Sequence, residues 1–173
     1  MAKSGGGAAT AARTLQVIDR DTFGPTDFFE LLDVVRESSS EYDELSASVG
    51  KVSGMLEEFA EDERDMRRAA VDLALGYSRE ALRLLEKDDS RLALLIRARA
   101  HQQIDEQTKA IRCYTQSAEK ADETTVSERI FLAQCLCFNG KPEEAVKTQK
   151  GLAKGDKDMF DARILDALIC EST

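Results

Sequence analysis

An all-α fold made of stacked helical hairpins is what this sequence predicts, on three observations. Two stretches, Ile104 to Tyr114 (IDEQTKAIRCY) and Asn139 to Gln149 (NGKPEEAVKTQ), have the same pattern, 35 residues apart. Between Phe28 and Phe59 an apolar heptad runs with few interruptions. Only 2 prolines punctuate a chain in which 33% of residues are charged, a composition that favours helix. Chains built from stacked hairpins work as binding surfaces more often than as catalysts, so the pattern indicates a kind of function without naming the ligand.

Taken in order, residues 1 to about 13 are rich in Gly and Ala and carry few large apolar groups. They are expected to form a flexible tail, because so little apolar surface does not offset the entropy of ordering. The next piece, TLQVIDRDTF, has a brief strand-like character and no second strand to pair with, so residues 1–24 are expected to be flexible or extended. Helix begins at Gly24-Pro25-Thr26-Asp27, where Thr26 or Asp27 can cap and Glu30 can complete a capping box.

A heptad region, 25–63, follows. Phe28, Leu31, Val35, Ser38, Tyr42, Leu45, Val49, Val52, Leu56 and Phe59 are separated by alternating steps of three and four, which places them on one seam. Ser38-Ser39-Ser40, Gly50 and Gly54 weaken a single long helix, so a break near Ser38 to Ser40 is expected. The two resulting helices either fold into a hairpin or splay apart to pair with a second subunit. In the second case Tyr42, Leu45, Val49, Val52, Leu56 and Phe59 form a self-association seam, and the protein is a homodimer or higher oligomer.

Beyond Gly76, helices are predicted near 78–87, 90–103, 106–121, 125–139, 142–154 and 157–171. Thr125 with Glu128 makes a capping box, Pro142 suits a first helical turn, and Gly155-Asp156 stops one helix and starts the next. The final segment, MFDARILDALICE, is expected to cap the array. In each repeated stretch a turn residue, Asp105 or Gly140, stands five places before an alanine, Ala110 or Ala145; a third pair, Gly76 and Ala81, keeps the same offset. Small residues at such points let antiparallel helices approach closely, and the Gly or Asp releases the chain into a tight turn.

On these residues, about 64–173 resembles the tetratricopeptide repeat family, whose pattern W-x2-L-G-x2-Y, A-x3-F and P extends over about 34 residues. Leu94, Ala98, His101, Ala110 and Tyr114 match in the middle copy, and Leu132, Ala133, Leu136 and Ala145 in the last. The first copy keeps Ala81 and Leu85. The chain departs from the pattern in having no Trp, Arg97 in place of Leu, Gln149 in place of an aromatic, and no closing Pro. The resemblance implies a right-handed superhelical solenoid with a concave groove lined by the first helix of each hairpin. It places Leu95, Arg99, Gln102 and Gln103 there from the middle copy, and Ile130, Gln134, Cys137 and Phe138 from the last. The Lys and Asn clamp with which some members grip acidic chaperone tails is absent from these positions. A weaker similarity, carried by CLCFNGKPEEAV, is to the small acidic helical chaperones of bacterial type III secretion.

Composition and motifs narrow the function classes. Formal net charge is −9 and the sequence holds no long basic run, so nucleic acid is not an expected partner. The opening MAKSGGGAATAA lacks the apolar core of a secretory signal, and no segment approaches the roughly 20 apolar residues of a membrane span. A cytoplasmic location without membrane insertion is expected. His101, the sole histidine, occupies a packing position of the repeat. Cys135 and Cys137 stand two apart on a helix and so point about 200° apart, which prevents them from sharing one ion. With no phosphate loop, dinucleotide fingerprint or metal-binding His-Glu motif, no cofactor, metal or enzymatic activity is expected. The sequence points to a non-enzymatic adaptor or chaperone-like module for a protein or peptide partner. The alternative is a scaffold subunit that assembles through its N-terminal helices.

Overall fold

Where the sequence repeats, the hairpin turns repeat the same backbone hydrogen bonds. The computed structural model describes residues 6–37, 54, 56–121 and 124–149, and within them every regular element is an α-helix. These are α1 (Gly6–Ile18), α2 (Pro25–Glu37), α3 (Glu61–Ala74), α4 (Ser78–Leu84), α5 (Arg91–Gln103), α6 (Gln107–Glu119), α7 (Val126–Phe138) and α8 (Pro142–Gln149). The chain divides into two units, Met1–Asp88 and Asp89–Thr173. In the first, α1 packs on α2, α2 on α3 and α3 on α4; in the second, α5 packs on α6, α6 on α7 and α7 on α8. The boundary leaves the α3–α4 hairpin with the N-terminal helices, although the repeat pattern groups it with the later copies.

Gly76, Asp105 and Gly140 all have positive φ, at 88°, 62° and 70°. Each closes a helix with the same two bonds. Gly76, Asp105 and Gly140 donate their N–H to the carbonyls of Leu73, Gln102 and Cys137. The next residues, Tyr77, Glu106 and Lys141, donate to Asp72, His101 and Leu136. This is the Schellman arrangement, which satisfies helix-end carbonyls through one left-handed residue. The three residues that follow the turn residue are also the N-caps of the next helices, and their carbonyls accept from Ala81, Ala110 and Ala145. All three alanines have 0% exposure. An added side chain at any of them has no room. Ala110→Leu is expected to cost about 1–3 kcal/mol, the usual penalty for overpacking a tight helix contact, read as a lowered urea midpoint.

Helix starts follow their local chemistry. Thr125 caps α7, accepting from the Glu128 N–H while the Glu128 carboxylate accepts from the Thr125 N–H, so both halves of the capping box form. Ser90 caps α5 through the Ala93 N–H, and Pro142 opens α8. Helix α2 begins earlier than a Thr26 or Asp27 cap requires. Pro25 is its first residue, and Asp27 reaches back to accept from the Gly24 N–H at 2.9 Å. Glu30 is instead bound to Arg20 at 2.8 Å.

One expectation is corrected in the first unit. Residues 6–18 are helical rather than extended: the alanine-rich start has high helix propensity, and Thr14, Val17 and Ile18 are buried where α1 meets α2. The carbonyls at the end of α1 are held by Arg67 of α3, a fully buried cation that donates to Ile18 and, at 2.9 Å, to Arg20. The heptad seam is described only in part. Phe28, Leu31 and Val35 are buried in α2, while Tyr42, Leu45, Val49 and Val52 lie outside the described residues. Leu56 is already buried within the single chain, at 2% exposure. Phe59 stands in the bend before α3, its ring 4.0 Å from the Arg67 guanidinium. Both side chains are engaged inside the first unit, Leu56 buried and Phe59 half-buried. The end of the helix expected over 142–154 and the whole of the helix expected over 157–171 also lie outside the described residues.

Candidate functional site

The residues expected to line a groove separate into core and surface. Leu95 and Ile130 have 0% exposure and Cys137 is buried, so these three belong to the packed interior of the second unit rather than to an open floor. The cause is geometric: α5 and α7 are short helices buried on most of their circumference, with Ala93, Leu94, Leu95, Ile96, Ala98 and Ala100 all inside in α5. Phe138, at the last turn of α7, is the opposite case at 59% exposure.

A polar line joins three of the expected residues, of which Arg99 and Gln102 are half-buried and Gln134 is buried. Arg99 sits over the Phe131 ring, 4.2 Å from its centroid, and donates from Nη1 to Gln102 Oε1 at 2.7 Å. Gln102 Nε2 in turn donates to Gln134 Oε1 at 3.3 Å. The line crosses from α5 to α7 and fixes the orientation of both amides. Arg99 makes no ion pair among the described residues. Gln103 is exposed one position further along α5.

Deeper in the unit, Glu128 ties three helices together. Its carboxylate accepts from Arg91 of α5 at 2.8 Å and from Ser117 of α6 at 3.4 Å, besides the Thr125 N–H ahead of α7. The capping box was legible in the sequence; the reach to Arg91 and Ser117, far apart in the chain, was not.

His101 is half-buried, its Nδ1 2.7 Å from Glu106 Oε2. Burial pushes its pKa below the usual value, and the bond to Glu106 only partly opposes this. Lys109 and then His101 hold the Glu106 carboxyl below its ordinary range. Burial raises all three described thiols, Cys135 to about 12. Thiols held protonated in this way are poor nucleophiles and poor metal ligands. Among the described residues no group of three or more His, Cys, Asp or Glu is placed to hold a metal ion.

Sequence reasoning missed a cleft of about 460 Å3 between α5 and α6. Arg97 and His101 face it from α5, and Lys109, Arg112 and Lys120 from α6 and its C-cap. No basic run announces it, because its cations are spaced over two helices. No described helix is long and apolar enough to cross a membrane. No protein-family model matches the chain, and neither curated proteins nor solved structures provide a match.

Proposed function

We propose that this chain is a non-enzymatic protein-interaction module of the tetratricopeptide kind, an adaptor or chaperone-like protein that holds a partner peptide or helix. The reading is carried by the hairpin turn that recurs at Gly76, Asp105 and Gly140, each followed at the same offset by a fully buried alanine. Repetition of one hairpin specifies a surface rather than a reaction, since each copy buries one face on its neighbour and leaves another for partners. The contact surface in this reading is Arg99, Gln102, Gln103 and Phe138, with the buried Gln134 amide orienting Gln102 from behind. The amides meet a peptide backbone, the guanidinium meets a carbonyl or carboxylate, and Phe138 supplies the apolar anchor.

The test is selection of peptides from a random displayed library against the full chain, followed by titration of the selected sequences. Phe138→Ala is expected to weaken binding at least about tenfold, as loss of an aromatic anchor does, while changing stability by no more than about 0.5 kcal/mol because the ring is exposed. Equal affinity for wild type and Phe138→Ala, or a selection that returns no peptide, would remove this reading.

A further inference from the structure

The α5–α6 cleft is anomalous in its charge. A chain of net charge −9 directs Arg97, Lys109, Arg112 and Lys120 into one depression, against only Asp89 and Glu119 among the lining carboxylates. Two of these cations already have carboxylate partners: Arg97 pairs with Asp89 at 3.1 Å and Lys109 with Glu106 at 2.9 Å. Arg112 and Lys120 make no ion pair among the described residues.

The arrangement selects the size and kind of ligand. On α6, Lys109, Arg112, Gln116 and Lys120 follow steps of three and four and so form one stripe along the helix. From Lys109 to Lys120 that stripe is about 16 Å long at 1.5 Å rise per residue. A single phosphate or carboxylate spans only a fraction of it, whereas about five residues of extended peptide, at roughly 3.3 Å each, match it end to end. A single-stranded nucleic acid also has the charge, but it needs flat side chains on which to stack its bases. The cleft lining contains no Phe, Tyr or Trp, and its one imidazole is bonded to Glu106.

We propose that this cleft is the docking site for an extended acidic peptide segment, rich in Asp or Glu, with Arg112 and Lys120 as its principal cations. The inference rests on reading the second unit as a peptide-binding module, and it adds a second surface with a different ligand chemistry. Binding here is electrostatic and exposed, so it weakens as salt rises.

Fluorescence anisotropy of a labelled hexaglutamate peptide with the full chain tests this directly. Saturable binding is expected at low salt, with affinity lowered at least tenfold in the double variant Arg112→Glu, Lys120→Glu and lowered less in Arg112→Ala. Both side chains are exposed, and circular dichroism checks that the variants keep their helix content. Peptides selected through the Phe138 surface should bind the double variant as they bind wild type, which separates failure of this inference from failure of the module reading. No hexaglutamate binding to wild type, or unchanged affinity in the double variant, overturns the proposal. So does displacement by submillimolar inorganic phosphate, which marks a small-anion site. Tighter, charge-reversal-sensitive binding of a single-stranded oligonucleotide would reassign the cleft to nucleic acid.

Discussion

Replacing Arg67 with alanine is expected to destabilise the first unit by about 3–5 kcal/mol, the largest effect of any single change described for this protein. The side chain is fully buried, and its guanidinium has four tasks. It donates to the Ile18 and Arg20 carbonyls, pairs with Glu63 one turn earlier in α3, and lies over the Phe59 ring. Phe23 approaches it as well, at 5.4 Å. Truncation leaves two carbonyls without their donor at about 1–3 kcal/mol each and removes a desolvated cation–π contact. Glu63 is part exposed and is resolvated at little cost. Arg67→Lys separates charge from shape: an ammonium keeps the charge but lacks the flat fork that reaches both carbonyls, so it should recover less than half of the loss. Hydrogen exchange resolved by peptide gives the readout. Amides of α1 and α3 should lose protection in both variants, and wild-type protection in Arg67→Ala would refute the role assigned to this residue.

Glu128→Ala is the second large effect, at about 3 kcal/mol. The carboxylate is 5% exposed and accepts from a guanidinium, a hydroxyl and a backbone N–H. Its removal ends the capping box, worth about 0.5–2 kcal/mol, and strips Arg91 of a charge-assisted bond worth about as much again. Glu128→Gln keeps an oxygen at the same reach and loses the charge, so it should cost roughly half. Urea unfolding followed by circular dichroism distinguishes the cases. Equal costs for Gln and Ala would mean that the charge, rather than the cap, carries the stabilisation. No cost for either would show that α5, α6 and α7 do not depend on this carboxylate.

What could be foreseen from the sequence was local chemistry. A left-handed turn residue followed at a fixed offset by a small residue is a backbone requirement, and Gly76, Asp105 and Gly140 with their alanines met it at each copy. Thr125 with Glu128, and Pro142, were legible for the same reason. Nonlocal events were not. Arg67 stands in ERDMRR, where it looks like one more charge on a solvated face; its burial depends on carbonyls 47 and 49 residues earlier. Helix α1 reads as a tail in the sequence because its stability depends on that same guanidinium and on α2. Position in the repeat points Leu95 and Ile130 to a groove, but it does not tell which side of a short helix is sealed. The basic cleft was invisible because residues 97 to 120 hold no basic run until two helices are folded together.

The buried Cys135 thiol of the second unit has a practical consequence. The chain contains no Trp, which removes the usual fluorescence signal of unfolding. Cys135 is fully enclosed, and with its pKa pushed up to about 12 it presents almost no thiolate at neutral pH. A thiol reagent therefore reaches it only when the hairpin opens, so the rate of alkylation at Cys135, read by peptide mass, is an internal clock for native-state opening of this unit.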